Sequence, residues 1–118
     1  MNQELAHLPE LVLLKAAELF PVAPQEILSP IRSNRIARAR FAVMVTLYDL
    51  GFSLVEVGLI CGRRDHSTVI HARRRLPVLA SQDPDLADRL QTLRDAFALP
   101  PLVPAISSQT SVKSSISA

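Results

Sequence analysis

Residues 62–72 read Gly-Arg-Arg-Asp-His-Ser-Thr-Val-Ile-His-Ala, and this stretch decides the fold. Asp65 is a residue type that caps helices, and the helix it would open starts with His66, Ser67 and Thr68. These side chains are short and polar, so they can reach base edges or phosphate oxygens. Arg63 and Arg64 stand just before them, and Arg73, Arg74 and Arg75 follow one to two turns later. A capped helix with polar groups at its tip and cations around it meets the requirements for reading a DNA major groove.

Just upstream, Ser53 can cap a short helix, and Glu56 three residues on completes a capping box. Leu54, Val57, Leu59 and Ile60 give that helix an apolar side, and Cys61 to Asp65 make the turn into the next. Two short helices joined by a tight turn containing glycine form a helix-turn-helix, here over about residues 53–76. Pro77 is expected to bend or end its second helix.

Further out, Leu8 to Phe20 has the spacing of an amphipathic helix, closed by Pro21. Residues 23–28 suit one short helical turn with Pro24 at an early position. A loop broken by Pro30 leads to Asn34, which can cap a long helix from about Arg35 to Leu50, with Gly51 as its stop. Asp83-Pro84 opens a last helix through Ala98, with Leu86, Leu90, Leu93 and Phe97 at helical spacing. The expected fold is all-α, a small helical domain of five or six helices over residues 1–99, with a disordered tail rich in Ser and Pro at 100–118.

The bulk numbers agree with one small domain. Of 118 residues 48% are apolar and no tryptophan is present, so the core must be aliphatic. The single cysteine, Cys61, rules out an intrachain disulfide or a cysteine zinc cluster, and its apolar setting suits a small buried thiol. No signal peptide and no membrane-length apolar run is visible, which points to the cytoplasm, at the nucleoid. Net charge is only +2 but is unevenly placed. Residues 1–29 carry −3, residues 30–75 carry +6, all of it from arginine, and residues 76–99 carry −2. Arginine suits phosphate and guanine recognition through its planar fork.

The same residues resemble the C-terminal DNA-binding domain of the bacterial replication initiator DnaA. That family's signature is a glycine followed by Arg-Asp-His-Thr-Thr-Val, an aliphatic residue and His-Ala. Here Gly62 and the run from Arg64 to Ala72 match it, with Ser67 for one threonine and Arg63 for a second glycine. The family's basic loop and helix start correspond to residues 32–40, and its Ser-Leu-Pro-Glu-Ile-Gly stretch to Ser53-Leu54-Val55-Glu56-Val57-Gly58. The likeness covers about residues 8–96. It implies base reading by Asp65, His66 and Ser67 in the major groove and by Arg32 in the minor groove. It also implies phosphate contacts from Thr68, Arg40 and Arg64, to which the local charge adds Arg35 and Arg63. Phe41 and Tyr48 stand where the family commonly has Gln and a phosphate-binding Lys, and each missing phosphate contact lowers affinity and salt dependence.

No Gly-x-x-x-x-Gly-Lys-Ser/Thr loop occurs, so ATP chemistry of the initiator's kind is not expected. Nor is another enzyme. His66 and His71 are five residues apart, on different parts of a helix, whereas a helical zinc pair wants four and a third ligand. No cofactor or metal is expected. The resemblance thus implies a stand-alone DNA-binding protein, a monomer, that regulates chromosomal replication initiation at DnaA-box-like sites. The alternative is a protein-binding regulator that contacts DnaA, or its Hda-type inactivating factor, through the same fold or its acidic first helix.

Overall fold

The computed structural model describes residues 2–102, and that span is helical with short connections. Six helices follow in order: α1 Asn2–Leu19, α2 Pro24–Ile27, α3 Asn34–Asp49, α4 Leu54–Ile60, α5 His66–Gln82 and α6 Pro84–Ala96. Among the described residues there is no strand. None of the helices is long and apolar enough to cross a membrane. The expected disordered tail lies outside the described residues from position 103 onward.

The long helix α3 is the centre of the fold. Ile36, Ala39, Ala42, Val43, Met44, Val45 and Leu47 are all buried along it. It packs against α1, α2, α4 and α5, while α6 closes the other side against α1 and α5. The core is aliphatic: Val12, Ile27, Val57, Val69, Leu76, Leu90 and Leu93 are fully enclosed or nearly so. Each such side chain contributes roughly 1.5–3 kcal/mol by leaving water. An ion pair between buried Arg94 and exposed Asp49 ties α6 to the end of α3, with Arg94 Nη2 at 2.8 Å from Asp49 Oδ2.

Several boundaries differ from the sequence expectation, among them the end of α6, at Ala96 rather than Ala98. The first helix starts at Asn2 and passes through Pro9. The cap of α3 is Ser33, whose hydroxyl accepts the Ile36 N–H at 3.4 Å, rather than Asn34. Both residue types cap well, so local chemistry leaves a one-residue ambiguity. The largest difference is α5, which runs straight past Pro77 to Gln82. Pro77 lacks the N–H that would bond the Arg73 carbonyl, a cost of about 3 kcal/mol in a helix interior. Leu76 and Ala80 on either side of it are buried. Their packing opposes a loss of that size, so the helix continues.

Candidate nucleic-acid interface

The helix-turn-helix is held by backbone contacts that tolerate little change. At the end of α4, Arg64 N–H donates to the Gly58 carbonyl at 2.7 Å and Arg63 N–H to the Leu59 carbonyl at 3.3 Å. A Cβ on Gly58 would collide with the Arg64 carbonyl, and one on Gly62 with the Leu28 carbonyl. These two positions are glycine because one backbone crosses another there. Gly62 also has φ 94°, and Arg63 follows with φ 61°. Arg63 is therefore a non-glycine residue in the left-handed region, at a cost of roughly 1–2 kcal/mol.

Beyond this turn, α5 opens with an exposed tip. Asp65 occupies the capping position with extended backbone, yet its side chain makes no hydrogen bond to the helix backbone. The carboxylate instead accepts from the Ser67 hydroxyl at 2.5 Å, and His66 Nδ1 lies 3.4 Å from its other oxygen. The Ser67 hydroxyl is the main cause holding the Asp65 carboxyl below its usual pKa, with the His66 charge and the nearby Ser67 and His66 N–H groups assisting, although those N–H groups do not reach cap-bond geometry. Asp65, His66 and Ser67 are exposed, and Thr68 is half-buried. The expected cap bond is thus replaced by a surface cluster. Its carboxylate, imidazole and hydroxyl point outward, where base edges or phosphates could meet them.

The loop between α2 and α3 is organised by two arginines. Arg40 is 5% exposed. Its Nε donates to the Ile27 carbonyl at 2.7 Å, and its Nη2 to the carbonyls of Ser29 at 2.6 Å, Ile31 at 2.9 Å and Glu26 at 3.2 Å. Burial, then the nearby Arg64 charge, lower the Arg40 pKa. Arg64 crosses from the helix-turn-helix to the same place. It donates from Nε to the Cys61 carbonyl at 2.9 Å and from Nη2 to the Ser29 carbonyl. Arg40 and Arg64 therefore clasp one loop from both sides, and Arg32 on that loop is left exposed.

At the loop's far end α3 starts with Arg35 and Arg38 and has no acidic residue in its first turn. Cations there oppose the helix dipole, which favours anions at that end. Arg38 is paired with Asp83 at 3.3 Å. Arg35 is exposed and lines a cleft of about 360 Å³ with Phe20, Asp85 and Arg89.

A family model described as the bacterial dnaA protein helix-turn-helix matches residues 9–76. The chain belongs to this family. Among similar proteins is the chromosomal replication initiator protein DnaA of Cereibacter sphaeroides, 38% identical over 81 residues, which cover 68% of this chain and 18% of that protein. Another is the same-named protein of Thermus thermophilus, 33% identical over 95 residues, covering 80% of this chain and 22% of that one. The chain thus spans about a fifth of the length of these relatives. The matched segment is a helix-turn-helix domain and not a catalytic one.

Within this DnaA-type domain the residues singled out from the sequence fall into two sets. Asp65, His66 and Ser67 form one exposed cluster, with Thr68 beside it. Arg32, Arg35 and Arg63 are exposed as well. Arg40, expected at a phosphate, is buried, and its Nε and Nη2 donate to four carbonyls of the DnaA-type loop. Arg64 has its Nε and Nη2 engaged with carbonyls, and its Nη1 has no hydrogen bond. The signal for Arg40 was present in the sequence. It stands on the stripe of Ile36, Val43 and Leu47, which is the buried face of α3. The sequence reading also missed the Arg73 guanidinium, which stacks on the Tyr48 ring 4.2 Å from its centroid. His71 meets the Phe41 ring edge-on at 5.7 Å while staying exposed. Cys61 is fully buried, and burial pushes its thiol pKa up to about 12, so it is inert in the folded state.

Proposed function

We propose that this chain binds double-stranded DNA at DnaA-box-like sites and, by doing so, regulates replication initiation in the bacterial cytoplasm, at the nucleoid. The observation that carries the reading is the exposed Asp65-His66-Ser67 cluster, mounted at the start of α5 and joined through Arg64 to the loop that presents Arg32. In this reading the cluster faces base edges in the major groove, and Arg32 reaches the neighbouring minor groove. Arg35, Arg63 and Thr68 meet phosphates. Bidentate or paired polar contacts to bases supply discrimination, and the arginines supply affinity that falls with salt.

The test is binding to a box-containing duplex and to a scrambled one over a range of salt. With three to five phosphates neutralised, log K should fall against log salt with a slope of about −3 to −5, and the box should bind more tightly. A slope near zero, or equal affinity for both duplexes, ends the site-specific reading.

One observation favours a second reading, contact with DnaA or an Hda-type factor. Leu11 and Leu14 on acidic α1 are 51% and 49% exposed. If Leu11→Ser/Leu14→Ser changes origin number in cells while Arg32→Ala and His66→Ala leave it unaltered, the effect runs through protein.

A further inference from the structure

The described arginines are restrained in different ways, Arg40 and Arg64 by the loop carbonyls described above. Arg38, Arg89 and Arg94 are held by Asp83, Asp85 and Asp49, so each charge is largely cancelled where it sits. Arg73 is held by a ring instead. Its guanidinium lies over Tyr48 of α3, 4.2 Å from the centroid, and it has no acidic partner among the described residues. Arg73 itself is exposed and Tyr48 is half-buried, so the ring is a fixed platform beneath a solvent-facing cation. An aromatic face restrains arginine without neutralising it. The five N–H donors lie in the guanidinium plane, so a stacked arginine keeps them free for an incoming acceptor.

Its place along α5 gives this arrangement a direction. Arg73 follows His66 by seven residues, which is about 20° short of two full turns and roughly 10 Å along the axis. The two therefore share one face of α5. A helix whose tip reaches base edges must pass the groove wall, and the major groove is about 12 Å wide and 8.5 Å deep. A cation two turns behind the tip, on the same face, sits at the height of the phosphate backbone. Arg74 and Arg75 project about 100° and 200° away from that face.

We propose that Arg73, held by Tyr48, is a phosphate-contacting residue of the DNA interface, and that Tyr48 acts as its positioning residue. The inference rests on the DNA-binding reading above. The restraint lowers the ordering cost of contact, because a side chain already fixed loses less freedom on binding.

The test uses the full chain and four variants, Arg73→Ala, Tyr48→Leu, Tyr48→Phe and the double Arg73→Ala/Tyr48→Leu, with thermal melts confirming folding. Arg73→Ala should weaken box and scrambled duplex alike, on the order of tenfold at low salt, and make the salt slope shallower by about one. Tyr48→Leu should cost roughly two- to fivefold and leave the slope nearly unchanged, because the charge remains but is no longer held. Tyr48→Phe keeps the ring and should bind as the parent does. The double variant should match Arg73→Ala alone. Parental affinity and slope in Arg73→Ala, or a further loss when Tyr48→Leu is added to it, overturns the proposal while the DNA-binding reading stands. Absence of salt-dependent binding by the parent chain overturns both.

Discussion

The two helices of the helix-turn-helix begin in opposite ways. At α4 the Ser53 hydroxyl accepts the Glu56 N–H at 3.1 Å, and the Glu56 carboxylate accepts the Ser53 N–H at 2.8 Å. Both partners are spent on each other, and the end is sealed. At α5 the capping carboxylate turns to the Ser67 hydroxyl and leaves the helix backbone without a side-chain cap. Four unpaired N–H groups and the positive end of the dipole make any helix start attractive to anions. A sealed start serves stability. An open one forgoes about 1 kcal/mol of capping and keeps its donors for a ligand.

The most damaging way to break this contrast is to remove what holds the open end beside the basic loop. Arg40→Ala leaves the carbonyls of Glu26, Ile27, Ser29 and Ile31 without their shared donor. A loss of roughly 3 kcal/mol in stability is expected by denaturant titration, together with lost affinity for every duplex. A phosphate ligand alone would weaken binding without moving the unfolding midpoint. Next in size, His66→Ala should lose roughly 1–3 kcal/mol on the preferred site and nothing on scrambled DNA, with an unchanged melt.

Smaller effects sharpen the comparison. Ser53→Ala should destabilise by about 1 kcal/mol, whereas Asp65→Ala should destabilise less, because no backbone cap bond is lost there. Parallel thermal melts of the pair decide it. Equal losses would mean that Asp65 caps α5 in solution after all. The smallest effect is the acid limb of Asp65. Its folded pKa is depressed, so what it contributes to stability is present above the ordinary carboxylate range, near 4. That contribution is lost only as pH falls through the lower folded value. The difference in melting temperature between the parent and Asp65→Asn should shrink as pH falls below about 4.

Most of the fold was legible because its punctuation is local. Ser53 with Glu56, Asp83 before Pro84, and Pro24 at the start of a turn each announce a helix through their own chemistry. Asp83 does accept the Asp85 and Leu86 N–H groups, at 3.1 and 3.3 Å. What was not legible depends on distant neighbours. Pro77 obeys a local rule that the burial of Leu76 and Ala80 overrides. Arg40 and Arg64 look like surface charge until a loop ten or more residues away wraps onto them. The exposed cluster was readable as residues but not as an arrangement, because the capping position of Asp65 suggests a backbone bond that Ser67 takes instead. Arg63 was visible as a replaced glycine, and only its φ of 61° shows the torsional cost of that replacement.

Cys61 gives the turn between α4 and α5 a built-in probe. The thiol is fully enclosed at the end of α4, immediately before the two left-handed residues that turn the chain into α5. No other sulfhydryl exists in the sequence to compete for a reagent. Because only the solvent-exposed thiolate reacts, modification must wait for the turn to come apart. The rate at which a maleimide is consumed under native conditions therefore reports every opening, local or global, that bares Cys61, without any engineered probe.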